Sequence, residues 1–423
     1  MMTSDLLSFK QKALQWANQF EVCCYLDSNG FTDPYGNYDL LLAVGAKSTL
    51  EKHTGKAFDA LEAYYNSHKT WMFGLLSYDL KNEIEQLQSE NRDDLQFPDL
   101  FFFIPEYLIA IKENRIEILL GDAKITETIF KVIPSTNSLQ TKLHIESRIN
   151  KAKYLQKIND LKQHINRGNI YEVTFCQEFF AKEAAVDPLS VYTVLKNTSP
   201  TPFSGFFKIK DQYILSASPE RYLRKKGPIL ISQPIKGTAK RSGDPIEDEL
   251  LKEALQQNGK EQTENVMIVD LVRNDLTKNA VFGSVKVDEL FGIYSFAQVH
   301  QMISTISCEL DPKISIIDAI KNTFPMGSMT GAPKVKAMEL IEEFEEVKRG
   351  AYSGSIGYFT PEGDFDFNVI IRSILYDKSK KILSFQVGGA ITYASDAEAE
   401  YEECMLKASA IIKTLKGPDE WPF

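Results

Sequence analysis

Ala351-Tyr352-Ser353-Gly354-Ser355-Ile356-Gly357-Tyr358-Phe359 and Phe367-Asn368-Val369-Ile370-Ile371-Arg372-Ser373-Ile374-Leu375-Tyr376 read as two strands joined across the turn Pro361-Glu362-Gly363-Asp364. Aromatic and β-branched residues fill the runs, and Pro361 and Gly363 punctuate them. Strands this close pair antiparallel. Working outward, Ile382–Val387 reads as a strand leading into Gly388-Gly389, and Tyr213–Ala217 as one running into Ser218-Pro219-Glu220-Arg221. Tyr171–Phe175 and Pro228–Ile231 are further strands. In the first third, so are Asp39–Val44, Trp71–Tyr78, Leu100–Ile104 and Tyr107–Ile111, with Gly74 marking a bulge or close packing. Helical spacing marks Ala57–Tyr65, Tyr154/Ile158/Leu161/Ile165 and a last helix, Ala397–Leu415. Pro333 suits the first turn of a helix through Glu345, and Leu7, Leu14, Trp16 and Phe20 suit an amphipathic first helix. By pattern, Glu264–Val272 is a helix or a buried strand; Asn274-Asp275 after it favours a helix. Strands and helices intermingle without regular alternation. The expected class is therefore α+β, with mixed, largely antiparallel sheets.

A chain of 423 residues suggests two domains or one large one. The polar segment Ile133-Pro134-Ser135-Thr136-Asn137-Ser138 is the best linker. It gives an N-terminal domain 1–138, a second domain 139–416 and a tail 417–423. A net charge of −10 without a basic tract argues against nucleic-acid binding. No apolar run approaches the ~20 residues that span a bilayer, and the N-terminus is not a signal peptide. Five cysteines without a Cys-x-x-Cys pair fit reduced thiols in the cytoplasm.

Lys236 stands in Gln233-Pro234-Ile235-Lys236-Gly237-Thr238, after the Pro228–Ile231 strand. A lysine at the end of a buried strand can lose its proton and act as a nucleophile, with the Thr238 hydroxyl beside it. On these residues alone a solvated loop lysine is the better reading. Glu261 and Glu264 share one helix face, as do Glu400 and Glu403. Four carboxylates lining one cleft would call for a hard cation such as Mg²⁺; a solvated acidic face is the alternative. The loop Met326–Lys334, with Ser328, Thr330 and Gly331, is either an anion site at a helix N-terminus or a helix-entry turn. Arg372, read as lying in an apolar strand, needs a carboxylate partner if buried, whether an internal glutamate or a substrate. Gly388-Gly389 lets a ligand approach the backbone.

Five motifs occur in one order: Ser218-Pro219-Glu220-Arg221, Pro234-Ile235-Lys236-Gly237-Thr238, Glu264 to Asp275, Gly331-Ala332-Pro333-Lys334 and Gly354-Ser355-Ile356-Gly357-Tyr358. Together they resemble the chorismate-utilising enzymes, a family that includes anthranilate, aminodeoxychorismate, isochorismate and salicylate synthases. The motifs cover roughly residues 145–415, and Gly74–Leu80 resembles the family's first domain. The resemblance implies sheets packed on each other with helices outside.

A lysine within Pro-Ile-Lys-Gly-Thr is characteristic of the aminodeoxychorismate-forming branch; anthranilate synthases usually carry alanine there. The resemblance then implies that Lys236, unprotonated in its pocket, attacks C2 of chorismate as the C4 hydroxyl leaves. Ammonia would follow at C4, giving 4-amino-4-deoxychorismate for p-aminobenzoate and folate. It also implies that Glu264 and Glu403 hold Mg²⁺, with Glu261 and Glu400 beside them. Arg372 and Tyr352 would bind the enolpyruvyl carboxylate with help from the backbone at Gly388. Ser328 and Thr330 would line the site, and Lys407 lies one turn past Glu403. No amidotransferase motif is present, so a separate glutamine amidotransferase subunit is expected to supply the ammonia. The chain departs from the family at Gln301, where histidine is usual, at Glu172, where the amino-transferring members have glutamine, and at Ala390, where glycine is usual. His300, next to Gln301, would point elsewhere. The competing expectations are an anthranilate synthase and a non-catalytic chorismate- or tryptophan-binding protein.

Overall fold

The structure, a computed structural model, describes residues 3–133, 143–297 and 299–416. Two large sheets carry it, one of eleven strands and one of ten, and their strand pairings are antiparallel. In the first, Leu40, Leu42 and Val44 of the Leu40–Val44 strand face the core that also holds side chains of the Thr3–Ala17, Lys151–Asn166, Pro188–Thr198 and Ala397–Lys416 helices. The alternate residues Leu41 and Ala43 join Phe73, Phe103 and Phe367 of the second sheet. The strand is apolar throughout because both its faces are covered. The expected α+β class, with antiparallel sheets packed on each other and helices outside, is what forms.

The sheets do not divide where the sequence suggests a linker. Val22–Asp27 pairs with Phe203–Ile209 in the first sheet, and Met72–Leu76 pairs with Ser355–Phe359 in the second. Each sheet thus draws strands from both sides of residue 138. Residues 134–142, where the expected boundary falls, and the tail 417–423 lie outside the described residues. Gly74 and Gly357 face each other across the second sheet's join. A Cβ at Gly74 would lie 2.4 Å from the Phe102 ring, and one at Gly357 2.6 Å from the Phe367 ring. Two aromatic rings thus take the space that side chains would otherwise fill.

Most of the expected elements form, with four corrections. Leu7 is 59 % exposed, and its neighbour Leu6 faces the core at 7 %, one step away in helical phase. Pro333 is the residue before the Lys334–Phe344 helix rather than part of its first turn. Gly388 and Gly389 lie inside the Ile382–Thr392 strand rather than after it. The fourth correction matters most. The run Phe367–Leu375 is not one strand: Phe365–Val369 belongs to the second sheet and Ser373–Asp377 to the first. Between them the chain crosses over, and Arg372 sits in the crossing at a φ of 50°.

A second crossing runs beside it. The Gln212–Ser218 strand lies in the first sheet and Arg221–Lys226 in the second, so Pro219-Glu220 passes from one to the other. Val369 N–H donates to the Glu220 carbonyl at 3.0 Å, and Ala217 N–H to the Arg372 carbonyl at 3.2 Å. Two antiparallel crossings are thereby laced together.

A buried ion pair holds the neighbourhood. Arg349 and Glu345 have side chains 1 % and 3 % exposed. Arg349 donates to Glu345 at 2.6 and 2.9 Å, to the Met329 carbonyl at 2.6 Å and to the Thr174 carbonyl at 2.9 Å. Glu345 also accepts the Cys176 N–H at 2.9 Å, and the guanidinium lies 4.5 Å from the centre of the Tyr78 ring. Removing one partner of such a pair strands a buried charge. Arg349→Met should therefore cost about 3–5 kcal/mol, read as a lower urea midpoint. Arg349→Met/Glu345→Leu should recover only part, because the Thr174 and Met329 carbonyls stay unpaired.

Candidate active site

Lys236 lies in the Ile235–Lys240 strand, which pairs with Val299–Glu309. Ile235 faces Ile303 but Thr238 faces Gln301, so the Lys236 side carries one extra residue. This is a β-bulge, and Gly237 takes a φ of +103° in it, a conformation glycine adopts without strain. Asn265 of the Gly259–Thr277 helix pins the bulge: its Nδ2 donates to the Lys236 carbonyl at 3.2 Å, while its Oδ1 accepts from Ser304 at 2.6 Å. The Lys236 side chain, 14 % exposed, reaches the first sheet and donates to Glu172 Oε1 at 2.7 Å. Glu172 begins the Glu172–Ala181 strand. A solvated loop lysine is thereby excluded.

Two opposing effects act on the Lys236 amine. Burial pushes its pKa down, but Glu172, Glu264 and Glu403 outweigh burial and raise it above the ordinary lysine value.

The four glutamates share this space. Glu264 is buried, and burial lifts its carboxyl to about 7 against the opposing fields of Lys236 and Lys260. Burial also raises Glu261, which feels Glu403, and raises Glu400. Glu403 goes the other way because Lys407, 2.7 Å away, holds it ionised. Among the described residues, no three such side chains are spaced to ligate one ion. The donor chemistry nonetheless fits Mg²⁺: hard carboxylate oxygens from two helices, three of them on carboxyls that burial raises and a cation would favour in their ionised form.

Arg372 and Glu220 meet at the laced crossings. The Arg372 guanidinium makes no hydrogen bond or ion pair among the described residues, and burial lowers its pKa to about 10, opposed by Glu220. An enclosed, unpaired guanidinium is an open seat for a carboxylate. Glu220 is raised to about 7 by burial. It accepts from Ser328 at 2.5 Å and feels both Lys236 and Arg372.

Other expected residues have structural partners. The Thr330 hydroxyl donates to the Gly327 carbonyl at 3.1 Å, within its own turn. Gly331 packs so closely on the neighbouring strand that a Cβ would lie 2.2 Å from the Glu172 carbonyl. Gly388 is packed likewise against Phe175, and its carbonyl accepts from Lys407 at 3.0 Å. The buried Tyr352 hydroxyl lies 3.6 Å from Cys176 Sγ. Thr238 is exposed. His300 is held by Ser295 at 2.8 Å and Asp248 at 3.1 Å, whereas Gln301 keeps a buried Oε1 without a partner. The two do point differently.

Sequence reading gave Glu220 and Asn265 no part in the site and marked Glu172 only as a departure from the family's usual glutamine. A second signal for Glu172 was the one already used for Arg372, a charge inside an apolar strand.

Comparison with known proteins gives one direction. The family described as chorismate binding enzyme matches residues 21–413. Aminodeoxychorismate synthase component 1 of Escherichia coli K12 is 34 % identical over 348 residues, covering 81 % of this chain and 76 % of that protein. An anthranilate synthase component I-like protein of Synechocystis is 33 % identical over 358 residues, covering 83 % of this chain and 73 % of that one. The crystal structure of anthranilate synthase component I from Streptococcus pneumoniae superposes with a TM-score of 0.78 at 26 % identity, covering 90 % of this chain and 93 % of that one.

The raised Glu220 has a measurable signature. Its carboxyl titrates near 7 when folded, against 4.5 ordinarily. The stability it contributes is fully present below about pH 4.5 and is lost as pH rises through about 7. The loss is on the order of 3 kcal/mol. Glu220→Gln should remove that share of the slope, seen by comparing urea midpoints at pH 5 and pH 8.

Proposed function

The chain belongs to the chorismate-binding enzyme family and acts on chorismate, and we propose that it aminates chorismate at C4 as an aminodeoxychorismate synthase component I. The product is 4-amino-4-deoxychorismate, for p-aminobenzoate and folate synthesis in the cytoplasm. A separate glutamine amidotransferase subunit supplies the ammonia. The observation that carries this reading is the bulge that turns Lys236 inward, against Glu172 and within the field of Glu220. The name of the Escherichia coli relative points the same way.

Each side chain then has a task. Arg372 receives the enolpyruvyl carboxylate in its unpaired guanidinium. Glu264 and Glu403 would hold Mg²⁺, with Glu261 and Glu400 beside them, and the ion would grip the ring carboxylate and offset the surplus negative charge. With both carboxylates fixed, the ring is oriented for attack. Lys236 forms a bond to C2 as the C4–O bond breaks. Glu220, near 7, retains a proton that the leaving hydroxyl can take. Ammonia then bonds to C4 and Lys236 departs. One displacement becomes two, as in other covalent catalysis.

Anthranilate formation is the second reading, favoured by the names of the Synechocystis and Streptococcus relatives. One assay separates the two. Chorismate, Mg²⁺ and ammonium should yield 4-amino-4-deoxychorismate by chromatography, without fluorescent anthranilate; anthranilate formed without an added lyase sinks the proposal. Lys236→Ala should lower kcat at least about 100-fold. EDTA should abolish turnover and added Mg²⁺ restore it.

A further inference from the structure

Glu172 is placed unlike a structural carboxylate. It is 1 % exposed. Its Oε1 accepts from Lys236 Nζ at 2.7 Å, while its Oε2 is buried with no hydrogen-bond partner among the described residues. A bare buried acceptor is costly to keep and marks a group with a task beyond packing. Charged groups surround the pair: Glu261, Glu264 and Lys260 from one helix, Glu403 and Lys407 from another, and Glu220 from the crossing. Among the described residues, Glu172 is the one carboxylate within ion-pair distance of Nζ.

We propose that Glu172 is the base for Lys236, its Oε1 accepting a proton from Nζ so that the amine can attack. This rests on the proposed amination of chorismate. The protons and electrons balance. One proton passes from Nζ to Glu172 Oε1. The freed nitrogen pair forms the N–C2 bond, the two ring double bonds each move one place toward C4, and the C4–O bond breaks with its pair on oxygen. That oxygen leaves as water with the Glu220 proton. Ammonia forms the N–C4 bond, the double bonds return, and the C2–N bond breaks with its pair on Nζ. Glu172 hands its proton back to Lys236, and Glu220 takes one from the new C4 ammonium.

The test uses Glu172→Gln and Glu172→Ala in the full chain, with folding checked by thermal melts. At pH 7 with ammonium and Mg²⁺, Glu172→Gln should lose on the order of 10²-fold in kcat, with KM for chorismate within about twofold of wild type. Its deficit should shrink as pH rises, because solvent then removes the lysine proton. Formate should restore at least about tenfold to Glu172→Ala by filling the vacated place. Independently of turnover, reductive methylation of Lys236, followed by mass spectrometry, should show a lower pH midpoint in Glu172→Gln. A wild-type rate and pH profile in Glu172→Gln overturns the proposal. So does a folded Glu172→Ala variant that formate does not rescue, or an unchanged methylation midpoint. If the wild-type enzyme forms no 4-amino-4-deoxychorismate, the proposed function itself falls. The methylation midpoint then decides alone whether Glu172 controls the Lys236 proton.

Discussion

The buried pair of Arg349 and Glu345 sets the geometry on which the site depends. Beyond Glu345, the guanidinium's bonds reach a strand and two loops at once. Thr174, whose carbonyl it holds, is two residues from Glu172 and so shares its face of the strand. Met329, whose carbonyl it also holds, follows Ser328, which donates to Glu220. One guanidinium therefore fixes both the carboxylate that grips the lysine and the hydroxyl that steadies the acid. Arginine suits this place better than lysine, since its rigid fork serves five acceptors where an ammonium offers three mobile donors.

Around Lys236 two opposing effects are nearly matched. Burial favours the neutral amine, and the surrounding carboxylates favour the ammonium. In a medium of effective dielectric about 20, one unit charge about 4 Å away is worth about 4 kcal/mol. Three acidic neighbours can therefore outweigh a substantial desolvation cost. Burial is also what chiefly raises Glu264 and Glu261, with neighbouring carboxylates adding to it and Lys236 and Lys260 opposing it. A divalent cation among the glutamates would relieve all of them together. Nucleophile and metal ligands are thus electrostatically a single unit.

Much of this was legible in the sequence, and the gaps have physical causes. The antiparallel hairpin around Pro361–Asp364 could be read directly, because turn chemistry and strand composition agreed. Lys236 and the glutamate pairs were legible through motif order. The break at Arg372 was not. A strand buried on both faces is apolar at every position, so Val369–Ile374 looks the same whether it continues one sheet or crosses to another. Leu7 was misplaced because helical phase is sensitive to one residue at the start of a helix. Glu220 and Asn265 work through contacts with segments distant in sequence, which no local pattern encodes. The bulge at Gly237 was half visible: the glycine announced a turn, but only the partner strand shows the extra residue that aims Lys236 inward.

The shared sheets bear on how the chain is made. Met72–Leu76 pairs on one side with Leu100–Ile104, which follows it closely, and on the other with Ser355–Phe359, which is translated near the end. Ribosomes add about 5–20 residues per second, so roughly half a minute passes before that second neighbour emerges. Meanwhile the nascent chain presents an open, apolar strand edge of the kind that recruits other chains. Val22–Asp27 waits in the same way for Phe203–Ile209. Synthesis therefore calls for a holding chaperone, or for early hairpins that stay collapsed until the late strands arrive.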